Sequence, residues 1–328
     1  MVEKQTKTTA HPNIAFIKYW GNAVPALRLP ANGSISMNLE ELNTISSISE
    51  LEGADSHILQ INGELQTGPA LQRLDIFIRQ SAEFYDFRPA FLSIESTNNF
   101  PIGAGIASSA SAFASLALAI DHHFKLSLSQ EKISALARLG SGSACRSVPS
   151  GFSEWTRGTT HWDSFAFSIA PASHWELNDL ILIVDQQEKK VGSTKGHELA
   201  DTSPFQSVRV HDASRRIEIC RAAILAKDFE KLADIIELDS DMMHAVMMTS
   251  QPPLTYWQPA SLAIMQAVRE MRKKGIACAY TMDAGSNVHV ICTPAHLQAV
   301  QQAFTDFPGI QQALTAKTGG EAKVIANR

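Results

Sequence analysis

Residues 92 to 124 set the tightest limit on what this chain can become. Leu92 and Ile94 sit at strand spacing, "NNFPIGAGIASSASAF" (98–113) follows, and the chain then runs on to Phe124 dense in Ala, Leu and Phe. A strand, a glycine- and serine-rich loop and a buried helix, in that order, present unpaired N–H groups and a positive dipole end to whatever lies beyond the helix start. Gly103 and Gly105 permit close backbone approach, and the hydroxyls of Ser108, Ser109 and Ser111 add donors or reach a metal-bound phosphate. The loop contains no lysine, so it is not a Walker loop, and positive charge has to come from elsewhere. Alone, the stretch also fits a plain strand-to-helix turn with a serine cap.

The rest of the chain alternates short strands and helices. "SISMNLEEL" (34–42) alternates as a half-buried strand, and "HILQINGELQ" (57–66) places Asn62-Gly63 between two extended runs, a hairpin signal. "LSQEKISALARLG" (128–140) has helical spacing, with Gly140 as the expected C-cap. In the second half, "LILIVDQ" (180–186) reads as a buried strand. Amphipathic helices follow at 214–227, 230–243 and 259–275, then strands "ACAYTM" and "VHVICT" around "DAGSN", then a helix at 295–304. The best boundary falls near 171–179, which predicts an α+β protein of two lobes, 1–178 and 179–328. A chain of 328 residues at 45% hydrophobic can bury such a core.

Bulk properties narrow the function. A net charge of −5 without a Lys/Arg block argues against nucleic acid as a partner, and no apolar run is long enough for a membrane span. Cys145, Cys220, Cys278 and Cys292 have neither zinc-site nor disulfide-framework spacing. With no apolar leader in "MVEKQTKTTA", a cytoplasmic protein with reduced thiols is expected.

Two further stretches carry chemistry. "LGSGSACRSVPSG" (139–151) sets Ser141, Ser143 and Arg146 within a few residues, two hydroxyls and a planar guanidinium suited to a carboxylate or phosphate. "TMDAGSN" (281–287) puts Asp283 at a strand end before a small-residue turn. Read singly, these are also an ordinary helix start and a turn-forming Asp.

Together with "HPNIAFIKYWG" (11–21), the stretches "PIGAGIASSASA" (101–112), "GSGSACRS" (140–147) and "TMDAGSN" form an ordered set. That set resembles the mevalonate diphosphate decarboxylase family of the galactokinase, homoserine kinase and mevalonate kinase superfamily, and "VPSGFSEW", "KKVGS" and "MDAG" extend the likeness. The resemblance implies a two-lobed fold of that superfamily, with an N-terminal lobe like ribosomal protein S5 domain 2 and a ferredoxin-like C-terminal lobe. It implies that the Gly/Ser loop wraps ATP, that Mg²⁺ sits near Ser109, and that Lys189 reaches the phosphates. By the same likeness Arg146 binds the substrate's C1 carboxylate, Asn13 and Tyr19 line the pocket, and Asp283 is base or orienting group at the C3 hydroxyl. A homodimer is also implied.

The sequence departs from the family pattern at two cations. Where diphosphate-using relatives read K-Y-W-G-K, this chain has Asn22, and the arginine after the serine of K-K-V-x-S is Thr194. Ser141, Ser143 and Ser193 remain as neutral phosphate contacts. Each lost charge-assisted contact costs about 1.5–3 kcal/mol, so the expected substrate is mevalonate 5-phosphate, giving isopentenyl phosphate, ADP, phosphate and CO₂. The alternatives are mevalonate 5-diphosphate, with Lys195 swinging in as the missing cation, a 3-kinase that leaves the carboxylate in place, and a non-catalytic nucleotide-binding protein. The polar segment 191–204 is expected to close as a lid. His122-His123 reads as a partly exposed helix end, Met242, Met243, Met247 and Met248 as packing, with Met243-His244 near the pocket, and Trp20 and Trp155 as packing. Cys145, beside Arg146, is a point of possible thiol sensitivity.

Overall fold

A computed structural model describes residues 5–101, 108–185 and 192–325. From the N-terminus run β1 (Thr6–Ala10), β2 (Asn13–Ile17), β3 (Asn22–Val24), β4 (Leu29–Pro30), β5 (Ser34–Asn38) and β6 (Thr44–Glu50). Next come β7 (Ile58–Ile61), β8 (Glu64–Gln66), α1 (Pro69–Tyr85), β9 (Leu92–Asn98), α2 (Ser108–Phe124) and α3 (Gln130–Gly140). After a 3₁₀ segment, Gly142–Ser147, follow β10 (Phe152–Trp155), β11 (Ala166–Ala170), β12 (Asn178–Ile183) and α4 (Ser193–Leu199). Helices α5 (Gln206–His211), α6 (Ala213–Ala226), α7 (Phe229–Met248) and α8 (Pro259–Lys273) come next. The chain closes with β13 (Cys278–Thr281), β14 (Val288–Cys292), α9 (Leu297–Phe304), β15 (Gln312–Lys317) and β16 (Lys323–Val324).

These strands form an α+β architecture. One six-stranded sheet has the order β16-β1-β6-β9-β7-β8, antiparallel except for β7 beside β9. Its hydrophobic face packs under α1, α2 and α3, where Leu74, Phe77, Ala117, Ile120 and Leu136 meet Ile48 and Ile94. A four-stranded sheet in the order β11-β10-β5-β2 joins a third, β13-β14-β12-β15, through α6 and α7. That third sheet is fully antiparallel and has the ferredoxin-like strand order. The two halves share one core, in which Phe16, Ile35 and Met37 lie in the same cluster as Ile181, Ile236 and Ile291. β16 returns to pair with β1 (Val324 opposite Thr8), so the end of the chain completes the first half's sheet.

Local details bear on the sequence reading. Asn62 and Gly63 adopt φ of 51° and 82°, the paired left-handed turn that joins β7 to β8. β5 is buried along its whole length, not half of it. Ile35 and Met37 face the shared core, while Ser34 and Asn38 face the 142–150 loop, which covers the second side. Gly140 does not cap α3 with a left-handed turn. It is the last helical residue, capped by Ser141, and is glycine because a Cβ there would lie 1.9 Å from the Phe113 ring. His123 is buried, not at an exposed end, between Thr6 and Glu50.

Candidate active site

Lys18 follows β2, in the apolar run "NIAFIKYW", and is 1% exposed. Its Nζ donates to Asp283 Oδ1 at 2.8 Å, while 28% of the Asp283 side chain remains open to a cavity. The Lys18 backbone is fixed from both halves of the chain. Its N–H donates to Asp239 Oδ1 (2.7 Å), and its carbonyl accepts from Arg209 Nη2 (2.8 Å) and Asn32 Nδ2 (3.0 Å). Asp239, fully buried, also binds Arg216 Nε at 2.7 Å. Burial lowers the Lys18 pKa against the pull of Asp283. Burial pushes Asp283 up, but Lys18, His289 and Arg146 together hold it below the ordinary carboxylate value, so it is an ionised acceptor at neutral pH.

Arg146 lies in the 3₁₀ segment between α3 and β10 and is 3% exposed. Nη1 donates to Ser34 Oγ (2.7 Å), Nε to Asn13 Oδ1 (3.3 Å), and the guanidinium sits 5.9 Å from the Trp155 ring centre. Among the described residues it makes no ion pair, although burial disfavours its charge. A buried guanidinium with no ion-pair partner among the described residues, facing the cavity that Asp283 also lines, has the chemistry to receive a carboxylate or phosphate. Asn13 does not line this cavity. It is buried behind Arg146, held by Ser143 O and Ser147 Oγ, and orients the guanidinium.

The cavity holds about 380 Å³. Tyr19, Asn22, Ser109, Ser141, Ser143 and Thr194 line it, as the sequence suggested. Tyr19 donates its hydroxyl to Asn22 Oδ1, and its ring is stacked on His197 at 4.0 Å. Lys195 is turned out to solvent and paired with Glu198 at 2.7 Å, so it does not replace a missing cation. Besides Arg146, two further arginines line the cavity, Arg28 and Arg73, and neither was foreseen. Ser193 opens α4.

A second, mostly apolar cavity of about 200 Å³ lies between Leu59, Leu74, Phe113 and Leu116. Ser108 and Ser109, at the start of α2, line it too, and Ser109 and Arg73 are common to both cavities. An apolar recess beside a helix N-terminus would suit a nucleotide base, and Ser109 links it to the cavity that Asp283 lines. Ser109 Oγ is 3.1 Å from Ser141 Oγ, where the two cavities meet. Ser111 is not part of either cavity; it is buried against Thr44 Oγ1 (2.6 Å) and the Ser108 carbonyl. Gly103, Gly105 and Lys189 lie outside the described residues.

Cys145 is buried and its thiol is pushed up to about 12 by burial, which leaves it unreactive. Met243 lines the first cavity, Trp155 is a buried packing residue, and Trp20, though buried, also lines the cavity. The sequence reading missed Lys18, Arg28, Arg73 and His197. Lys18 had a signal, since a lone lysine inside an apolar strand run must find a partner when buried.

Fold and site define a small-molecule enzyme that grips an anionic substrate beside a nucleotide recess. Residues 10–166 match the family model described as diphosphomevalonate decarboxylase-like N-terminal domain, and residues 179–326 match the mevalonate 5-diphosphate decarboxylase C-terminal domain. The diphosphomevalonate decarboxylase of Candida albicans is 36% identical over 339 residues, covering 97% of this chain and 94% of that protein. The solved mevalonate diphosphate decarboxylase of Enterococcus faecalis superposes with a TM-score of 0.91 at 35% identity, over 98% of this chain and 99% of that one. A solved complex described as MDDEF with MVAPP, AMPPCP and magnesium gives a TM-score of 0.92 at 36% identity, with the same coverage. The chain belongs to the mevalonate diphosphate decarboxylase family.

Proposed function

We propose that this chain is an ATP-dependent decarboxylase of a 5-phosphorylated mevalonate, acting on the 5-diphosphate named for its relatives. The observation that carries the proposal is that the Lys18–Asp283 pair and the Arg146 guanidinium, which has no ion pair among the described residues, line one cavity. Asp283, kept ionised by Lys18, accepts the hydrogen bond of the C3 hydroxyl, orients its oxygen and takes up the proton it releases on phosphorylation. Phosphorylation of that oxygen makes it a leaving group. Departure of phosphate leaves electron deficiency at C3, and the C1–C2 bond breaks to give CO₂ and the C2–C3 alkene. Arg146 holds the C1 carboxylate aligned with the breaking bond. The residues fit ATP and Mg²⁺, which would supply the phosphoryl group and neutralise its charge, with Ser109 the described contact. A homodimer belongs to the same proposal and would show as twice the chain mass in light scattering.

The monophosphate expected from Asn22 and Thr194 is the second reading. Those two neutral residues do line the cavity and Lys195 is turned away. Against it stand the relatives' names and the two arginines, Arg28 and Arg73, which return positive charge to the cavity. Initial rates of ADP release with Mg·ATP and each ester in parallel decide between them. A kcat/KM favouring the diphosphate supports the first reading; a tenfold preference for the monophosphate, worth about 1.4 kcal/mol, establishes the second.

A further inference from the structure

We propose that Arg28 and the Nε2–H of His197 form the subsite for the substrate's terminal phosphoryl group, in place of cations at positions 22 and 194. This rests on the reading above that the substrate is a 5-phosphorylated mevalonate.

His197 sits near the end of α4 and lines the first cavity. Its Nδ1 accepts the Gly21 N–H at 2.9 Å, so the neutral ring carries its proton on Nε2. Nε2 has no protein partner among the described residues. The ring is fixed by Tyr19, stacked at 4.0 Å, and by Trp20 at 4.7 Å. Gly196 brings α4 so close to Trp20 that a Cβ would lie 2.4 Å from the indole ring. Burial, together with Arg209, Arg146 and Arg28, holds the pKa down to about 3, so the ring is a neutral donor across the working range.

Arg28 supplies the charge. It lies in a left-handed turn (φ 48°) between β3 and β4, and its Nη1 donates to the Leu139 carbonyl at the end of α3. Arg73, on α1, donates twice to the next carbonyl, Gly140 (3.0 and 2.8 Å). Neither arginine makes an ion pair among the described residues. Burial and the neighbouring Arg28 bring Arg73 down to about 10, so the two guanidinium groups repel each other across a partly dry wall. An oxyanion between them relieves that repulsion and gains charge-assisted hydrogen bonds. Arg73 borders the nucleotide recess as well as the first cavity, whereas Arg28 borders only the first, which makes Arg28 the residue specific to the substrate.

The test is steady-state kinetics of Arg28→Gln, His197→Met and His197→Gln, with thermal melting of each. The expected result is a KM for the 5-phosphoester raised on the order of 10- to 100-fold in Arg28→Gln and His197→Met. KM for ATP stays within about twofold, and His197→Gln, which keeps a donor, recovers part of the loss. An unchanged ester KM in Arg28→Gln and His197→Met overturns the proposal, whether or not melting falls. Calorimetric titration of the full chain with inorganic pyrophosphate and phosphate separates the two layers. Anion binding that is weakened in both variants, with no turnover of either ester by the unmodified protein, leaves the subsite standing and removes the decarboxylase reading.

Discussion

Replacing Lys18 with methionine should change the enzyme's pH dependence as well as its rate. Methionine keeps the stem volume but removes the ammonium held 2.8 Å from Asp283 Oδ1. For Asp283 the largest influence is burial, which raises its pKa, and Lys18 is the largest opposing one. Without Lys18 the carboxylate titrates higher than in the unmodified protein, with His289 and Arg146 left to oppose burial. The acidic limb of kcat/KM against pH is therefore expected to move to higher pH. At neutral pH, loss of a positioned, ionised acceptor lowers kcat/KM by about 10²–10⁴-fold. Stability follows the same sign. A carboxylate whose folded pKa is depressed stabilises the fold above its unfolded value near 4 and loses that contribution as pH falls through the folded value. In Lys18→Met the raised pKa makes the ionised form less favourable, so the variant's penalty is larger at pH 7 than at pH 4. Removing one partner of a fully buried pair costs about 3–5 kcal/mol. Because 28% of the Asp283 side chain faces the cavity, water offsets part of this, leaving about 1–2 kcal/mol. The assays are pH–rate profiles and urea denaturation at both pH values. An acidic limb left at its original pH would refute the pairing as the source of Asp283's state.

Two other substitutions test the frame that holds the site. Asp239→Ala leaves Arg216 without its fully buried partner and frees the Lys18 N–H, so denaturation should report a loss of about 3–5 kcal/mol; a loss under 1 kcal/mol would remove this cluster from the frame. Gly140→Ala forces Phe113 or α3 to move, which should cost about 1–3 kcal/mol in the same assay, and an unchanged midpoint would show that the contact relaxes freely.

Local elements were legible in the sequence where local chemistry decides them. Asn62-Gly63 named its own turn, and the helices read at 128–140, 214–227 and 259–275 are present as Gln130–Gly140, Ala213–Ala226 and Pro259–Lys273. Arg146, Asp283, Tyr19 and the paired serines 141 and 143 were readable because each lies in a short motif, and the structure brings them to one cavity. Lys18 was in view inside "HPNIAFIKYWG", but its partner lies 265 residues away and no local pattern joins them. Arg28 and Arg73 come from a turn and a helix with no motif of their own, so only packing reveals that they share a wall with Asn22 and Thr194. α1 was overlooked although Gly68-Pro69 starts it and Leu74, Phe77 and Ile78 give it a buried stripe. The placement of Ser111 failed for a related reason. A third serine on a helix N-terminus points wherever the helical turn sends it, here toward Thr44 on the neighbouring strand.

The reaction itself is best judged by trapping CO₂ while ADP is counted, using Mg·ATP and 1-¹³C-labelled mevalonate 5-diphosphate. Asp283 and Arg146 acting as described give one CO₂ for each ADP, and Asp283→Asn removes both products together. ADP formed without CO₂ would make this chain a 3-kinase and contradict the role given to Arg146.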